Sequence, residues 1–244
     1  KTRFGTFYAP NITPDPETGI GRWSAADLVR ALRTGKNPEG EPYYPAFPYS
    51  SYTRLTDTDI HAIKTYLFSQ KPVRRVNQPH ELPWYLRARW TLPVWKMLFF
   101  TSGAFQPRPD RSPIWNRGAY LVTAVAHCGE CHTPRNLLGG YKESLGFAGA
   151  ADGVDGDVAP NITPDKKTGI GRWRQSDLVD YLETGATPDG DYAGGAMAEV
   201  IDNNLSQLTQ DDRQAIAVYV MSLSPVAAVT HKNNRDKKRS KKKE

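Results

Sequence analysis

Only two cysteines occur in the 244 residues, and both fall in one short stretch, Cys128-Gly129-Glu130-Cys131-His132. Thiols three positions apart share one turn and can add to the two vinyl groups of a haem, and the imidazole that follows is then held beneath the iron as its fifth ligand. Half of a zinc site and a redox dithiol are the competing readings. Zinc would need two further Cys or His ligands at workable spacing, and a dithiol would follow a βαβ pattern that this stretch lacks. The motif therefore points to one haem c, bound covalently through Cys128 and Cys131 with His132 on the iron, in a compartment outside the cytoplasm where such groups are attached. The chain opens Lys1-Thr2-Arg3-Phe4-Gly5 with no apolar export signal, so any such signal is expected to be removed or to lie outside this sequence.

A sixth ligand has three methionine candidates: Met97, Met197 and Met221. Met221 falls on a predicted closing helix as core filler, and Met97 sits among aromatics in a connector. Gly194-Gly195-Ala196-Met197 reads as a flexible loop able to fold over the open haem face, which makes Met197 the expected ligand. A His/Met pair raises the reduction potential and closes the iron to substrates. Trp173, and Trp23 in an equivalent position, are candidates to donate an indole N–H to a haem propionate, with core packing as the plain alternative.

The elements that must position these residues occur twice. Residues 9–40 and 159–190 match without gaps at 21 of 32 positions, at an offset of 150, and a weaker likeness from Leu55 to Ser69 continues as Leu208 to Ser222 at an offset of 153. The repeat predicts two copies of one module. Each copy reads as helical: Ser24 with Asp27, and Ser176 with Asp177, open helices that stop before Gly35 and Gly185. Thr56 with Asp59, and Thr209 with Asp212, cap the closing helices. A further helix from Asn116 to Ala126 delivers Cys128, and the repeated NITPD and TGIG segments read as tight turns. No alternating strand pattern is present, so the fold class is mainly α.

The order C-x-x-C-H, NITPD-x-x-TGIG-x-W, loop methionine and LT-x-x-D helix resembles the multihaem c-type cytochrome subunits of periplasmic alcohol, sugar and sugar-acid dehydrogenases. The resemblance covers nearly everything from Phe4 to Ser224. It implies two tandem class I cytochrome c-like modules, 1–69 and 115–230, joined by an aromatic- and Pro-rich connector over 70–114. It also implies electron transfer from a dehydrogenase catalytic subunit toward quinone or a terminal oxidase, with no catalysis by this chain. Each module of that family carries its own haem. The attachment motif of the first copy would fall upstream of Lys1, so the first module is expected to lack that segment here and a second haem c is expected in the full-length protein. Phe47 stands where the second copy has Met197, leaving His61, His80 or Met97 as substitutes or a first haem without a sixth ligand. The first module is expected either to show a vacant, apolar cleft lined by Tyr44, Phe47 and Tyr49 or to hold a haem supplied by residues outside this numbering. The rival function is a catalytic haem protein, a peroxidase or sulfur-compound dehydrogenase, acting at such an open first site.

The connector's apolar part, 84–100, contains Arg87, Arg89, Pro93 and Lys96 and is too short to span a bilayer. Packing between the modules is expected of it, with docking on a dehydrogenase or a membrane surface as alternatives. Residues 231–244 hold eight Lys or Arg against two acids, which accounts for the whole net charge of +6. This reads as a disordered tail that steers the protein to anionic lipid or an acidic partner, with no nucleic-acid role. Asp152, Asp155 and Asp157 lack the spacing of a calcium loop and read as a turn.

Overall fold

The computed structural model describes residues 2–151 and 158–228; Asp152, Asp155, Asp157 and the basic tail lie outside the described residues. The described residues are mainly helical and form no sheet, only isolated bridges such as Lys36 with Pro42 and its counterpart Ala186 with Tyr192. Among the described residues nine α-helices follow one another: α1 (Ala25–Thr34), α2 (Tyr49–Tyr52), α3 (Asp57–Ser69), α4 (Thr91–Phe99), α5 (Pro113–Tyr120), α6 (Gly129–His132), α7 (Gln175–Thr184), α8 (Ala196–Asn203) and α9 (Gln210–Met221).

Local chemistry sets most helix ends. Ser24 and Asp27 form a reciprocal capping box at α1, and Gly35 closes that helix in the left-handed region at φ 57°. Thr56 and Thr209 each accept from the backbone N–H three residues on, capping α3 and α9. The start of α7 differs from the expectation. Ser176 lies within its first turn, because Arg174 occupies the position equivalent to Ser24 and Asp177 Oδ2 accepts the Arg174 backbone N–H at 2.8 Å.

The repeat extends to individual hydrogen bonds. Asn11 Nδ2 donates to Thr18 at 3.0 Å and to the Val73 carbonyl at 2.7 Å. Asn161 Nδ2 does the same to Thr168 at 2.9 Å and to Val226 at 2.7 Å. The NITPD turn thus ties each α1- or α7-bearing segment to the strand-like chain that leaves α3 or α9.

Two apolar clusters result. One gathers Leu28, Leu32, Leu55 and Ile60 with Tyr120 and Ala124; the other gathers Ile170, Leu178, Leu182, Ile201 and Ile216 with Leu121 and Val122. The α5 helix and the π-helical segment Leu121–Val125 that continues it therefore stand between the clusters and serve both. On the second side α5 crosses α9 at close range: a Cβ on Gly118 would lie 1.9 Å from the Ala215 carbonyl oxygen.

The connector packs on residues of both repeats. Trp95 Nε1 donates to the Leu138 carbonyl at 2.7 Å, and the Phe100 ring stands edge-on to Tyr49 at 5.0 Å. Its outward face carries Trp84, Trp90 and Met97, 76% to 82% exposed. No helix among the described residues is long and apolar enough to cross a membrane.

Candidate functional site

The attachment turn is built by a change of helical register. After Tyr120 the α5 helix widens to π geometry over Leu121–Val125, Cys128 N–H donates to the Val122 carbonyl at 3.0 Å, and His127 takes a positive φ of 39°. A π segment and a left-handed non-glycine residue are both costly and concentrate at functional sites. Together they turn the chain so that α6, Gly129–His132, presents Cys131 at the surface with Cys128 half-buried behind it.

His132 is 7% exposed, and its Nδ1 lies 2.7 Å from the Pro160 carbonyl oxygen. An imidazole whose Nδ1–H donates to a carbonyl presents Nε2 as the free, basic nitrogen. Burial lowers the His132 pKa, which the Pro160 hydrogen bond partly opposes, so the neutral ligand form is favoured. The partner was not anticipated from the sequence. Pro160 belongs to the repeated turn segment, so that segment positions the imidazole as well as the chain.

The thiols behave unlike those of a redox pair. Burial pushes Cys128 up to about 12 and raises Cys131, with the Glu130 charge adding to the latter, whereas reactive dithiols are depressed. No group of three or more His, Cys, Asp or Glu side chains capable of holding a metal ion occurs among the described residues. Two thiols in one turn, followed by an imidazole with its tautomer fixed, fit the donor set of a covalently held haem.

Cys128, Trp173 and Met197 all pack against the second apolar cluster. Met197 does not sit in a loop. Gly195, at φ 57°, starts α8, and Met197 is half-buried in that helix's first turn. Trp173 stacks edge-on with Tyr181 at 5.3 Å, and its indole N–H makes no hydrogen bond among the described residues. Met221 packs on the same cluster, whereas Met97 is 77% exposed on α4. His61 is exposed, with Nδ1 against the Asp57 carbonyl at 3.0 Å, and His80 accepts the Tyr8 N–H and packs on Phe7 and Tyr44. The rings expected to line a cleft in the first repeat pack on neighbouring rings. Phe47 contacts Tyr43, Tyr49 and Tyr52, and Tyr49 is fully buried.

No family model matches the chain. The chain is similar to a protein named diheme cytochrome c-type from Cereibacter sphaeroides, 45% identical over 219 residues, which are 90% of this chain and 72% of that protein. It is also similar to the gluconate 2-dehydrogenase cytochrome c subunit of Pantoea cypripedii, 40% identical over 91% of this chain and 52% of that one. The cytochrome c subunit of alcohol dehydrogenase (quinone) from Gluconacetobacter polyoxogenes is 39% identical, over 93% and 50%. The chain thus spans about half the length of these two dehydrogenase subunits.

Proposed function

Because this chain belongs to the family of dihaem c-type cytochromes, we propose that it is an electron-transfer subunit and not itself an enzyme. In this reading it accepts electrons from the catalytic subunit of a periplasmic dehydrogenase and passes them toward quinone or a terminal oxidase. The relatives named as dehydrogenase cytochrome subunits support that placement, and none supports the rival catalytic haem. A haem c held here supplies a one-electron iron couple. Cys128 and Cys131 are assigned to its attachment and His132 Nε2 to the proximal position. Met197 would supply a further iron ligand, and the Trp173 indole N–H would donate to a propionate. The observation that carries the reading is the His132–Pro160 hydrogen bond, which orients an imidazole as a ligand one residue after the second thiol.

The two repeats are read as tandem cytochrome c-like modules, 1–69 and 115–230, about the connector 70–114. The duplicated Asn-to-valine hydrogen bonds support this. So does a contrast in burial. Ile216 on α9 is 2% exposed beneath α5, while its counterpart Ile63 on α3 is 36% exposed, a face suited to a helix equivalent to α5. We place that helix, and the attachment motif of a second haem, outside these 244 residues. The exposed Trp84, Trp90 and Met97 before and on α4 support a docking role for the connector, on the catalytic subunit or at a membrane surface. Haem staining after denaturing electrophoresis tests the core of the proposal. The chain should stain, and Cys128→Ala with Cys131→Ala should abolish the stain; retention in the double variant would end the c-type assignment.

A further inference from the structure

Glu130, the residue between the two attachment cysteines, is a nearly buried carboxylate whose partners come largely from the other repeat. Its side chain is 12% exposed. Oε1 accepts from Ser50 at 3.0 Å and from Ser51 at 2.9 Å, both on α2, and Oε2 pairs with Arg135 at 2.5 Å. The next α2 residue, Tyr52, stands edge-on to His127 with ring centroids 5.4 Å apart. Three consecutive residues of α2 thus grip the attachment turn at the position before Cys128 and at the position before Cys131.

A carboxylate taken from water into such a site needs compensation, and whatever is left uncompensated acts over short distances with little screening. Among the described residues Glu130 pairs with the Arg135 cation and accepts from the Ser50 and Ser51 hydroxyls. The Arg135 guanidinium also lies over the Tyr141 ring at 4.4 Å, which fixes its approach. The negative charge is felt nearby: after burial itself, it is the next cause raising the phenols of Tyr49, Tyr52 and Tyr141 and the Cys131 thiol. A ferric haem carries one more positive charge than a ferrous one. An anion beside it therefore favours the oxidised state, and donors that neutralise the anion weaken that preference.

We propose that Glu130 is a positioning residue that sets the reduction potential of the haem held by Cys128, Cys131 and His132, and that Ser50 and Ser51 of the first repeat trim its charge. The potential of one site is thereby adjusted through the packing of the other repeat's α2. The inference rests on the haem assignment above, so haem content of every variant is measured first by staining and absorbance. Absence of haem from the unmutated chain would fail the assignment, whereas haem present at an unmoved potential would fail the inference alone.

The test is potentiometric titration of the full chain. Glu130→Gln removes the charge and is expected to raise the potential. Ser50→Ala with Ser51→Ala leaves the charge less neutralised and is expected to lower it. In the Glu130→Gln background the serine changes should have no further effect, since there is no charge left to trim. Loosening of structure alone would move both variants in the same direction or add independently, and either result overturns the proposal. If Glu130→Gln fails to load haem, the serine pair decides by itself, because it keeps both the carboxylate and Arg135: an unchanged or raised potential overturns the proposal.

Discussion

At the scale of single residues, the site depends on where each donor's second atom goes. His132 is defined less by its place after Cys131 than by the carbonyl of Pro160, 28 positions away, that takes its Nδ1. The thioether of Met197 has no such partner to find, so its assignment is tested by removal. Met197→Ala is expected to lower the potential and let the reduced haem bind carbon monoxide, as followed by potentiometry and absorbance, because a thioether favours the ferrous state and occupies the open position. Carbon monoxide uptake by the unmutated chain would instead argue for an open site. Cys128, Cys131, His132 and the two tryptophans could be proposed from the sequence because their types and local spacing carry the chemistry. Pro160 and the Ser50–Ser51–Glu130 contact could not, since a backbone carbonyl has no residue signature and partners 79 and 80 positions apart leave no periodic trace.

Among the elements, the α5–α9 crossing is the tightest joint. Gly118→Ala would drive a methyl group into the Ala215 carbonyl, and helix backbones cannot yield there without separating. A cost of about 1–3 kcal/mol is expected, read as a lower thermal midpoint with haem content otherwise normal. The same pair is stapled by Arg117 and Asp212, whose two nitrogens and two oxygens meet at 2.7 and 2.8 Å. That hydrogen-bonded ion pair lowers the Asp212 carboxyl below its ordinary 3.8. A depressed carboxylate contributes stability that is full above its unfolded pKa and is lost as pH falls through the folded value. Arg117→Gln should therefore cost on the order of 1 kcal/mol at neutral pH, discounted because Arg117 is half exposed, and the gap to the unmutated chain should close in acid below pH 3.8. Melting curves across that range decide it. Caps at Ser24, Thr56 and Thr209 could be foreseen from residue types alone. The short α2, the start of α8 at Gly195 and the π segment could not, because apolar periodicity cannot distinguish a widened helix from a regular one over five residues.

For the molecule as a whole, charge and packing are distributed differently. The 24 basic and 24 acidic residues outside the last fourteen cancel, so the excess lies at one end of the sequence. Truncation after residue 230 is expected to remove most of the salt dependence of association with an acidic partner or anionic vesicles, measured by binding at low and high ionic strength. Packing, by contrast, has no such seam. Tyr120 and Ala124 belong to one cluster while Leu121 and Val122 between them belong to the other. The two clusters thus share one helical segment: removing the residues of either would bare one side of α5 and of Leu121–Val125.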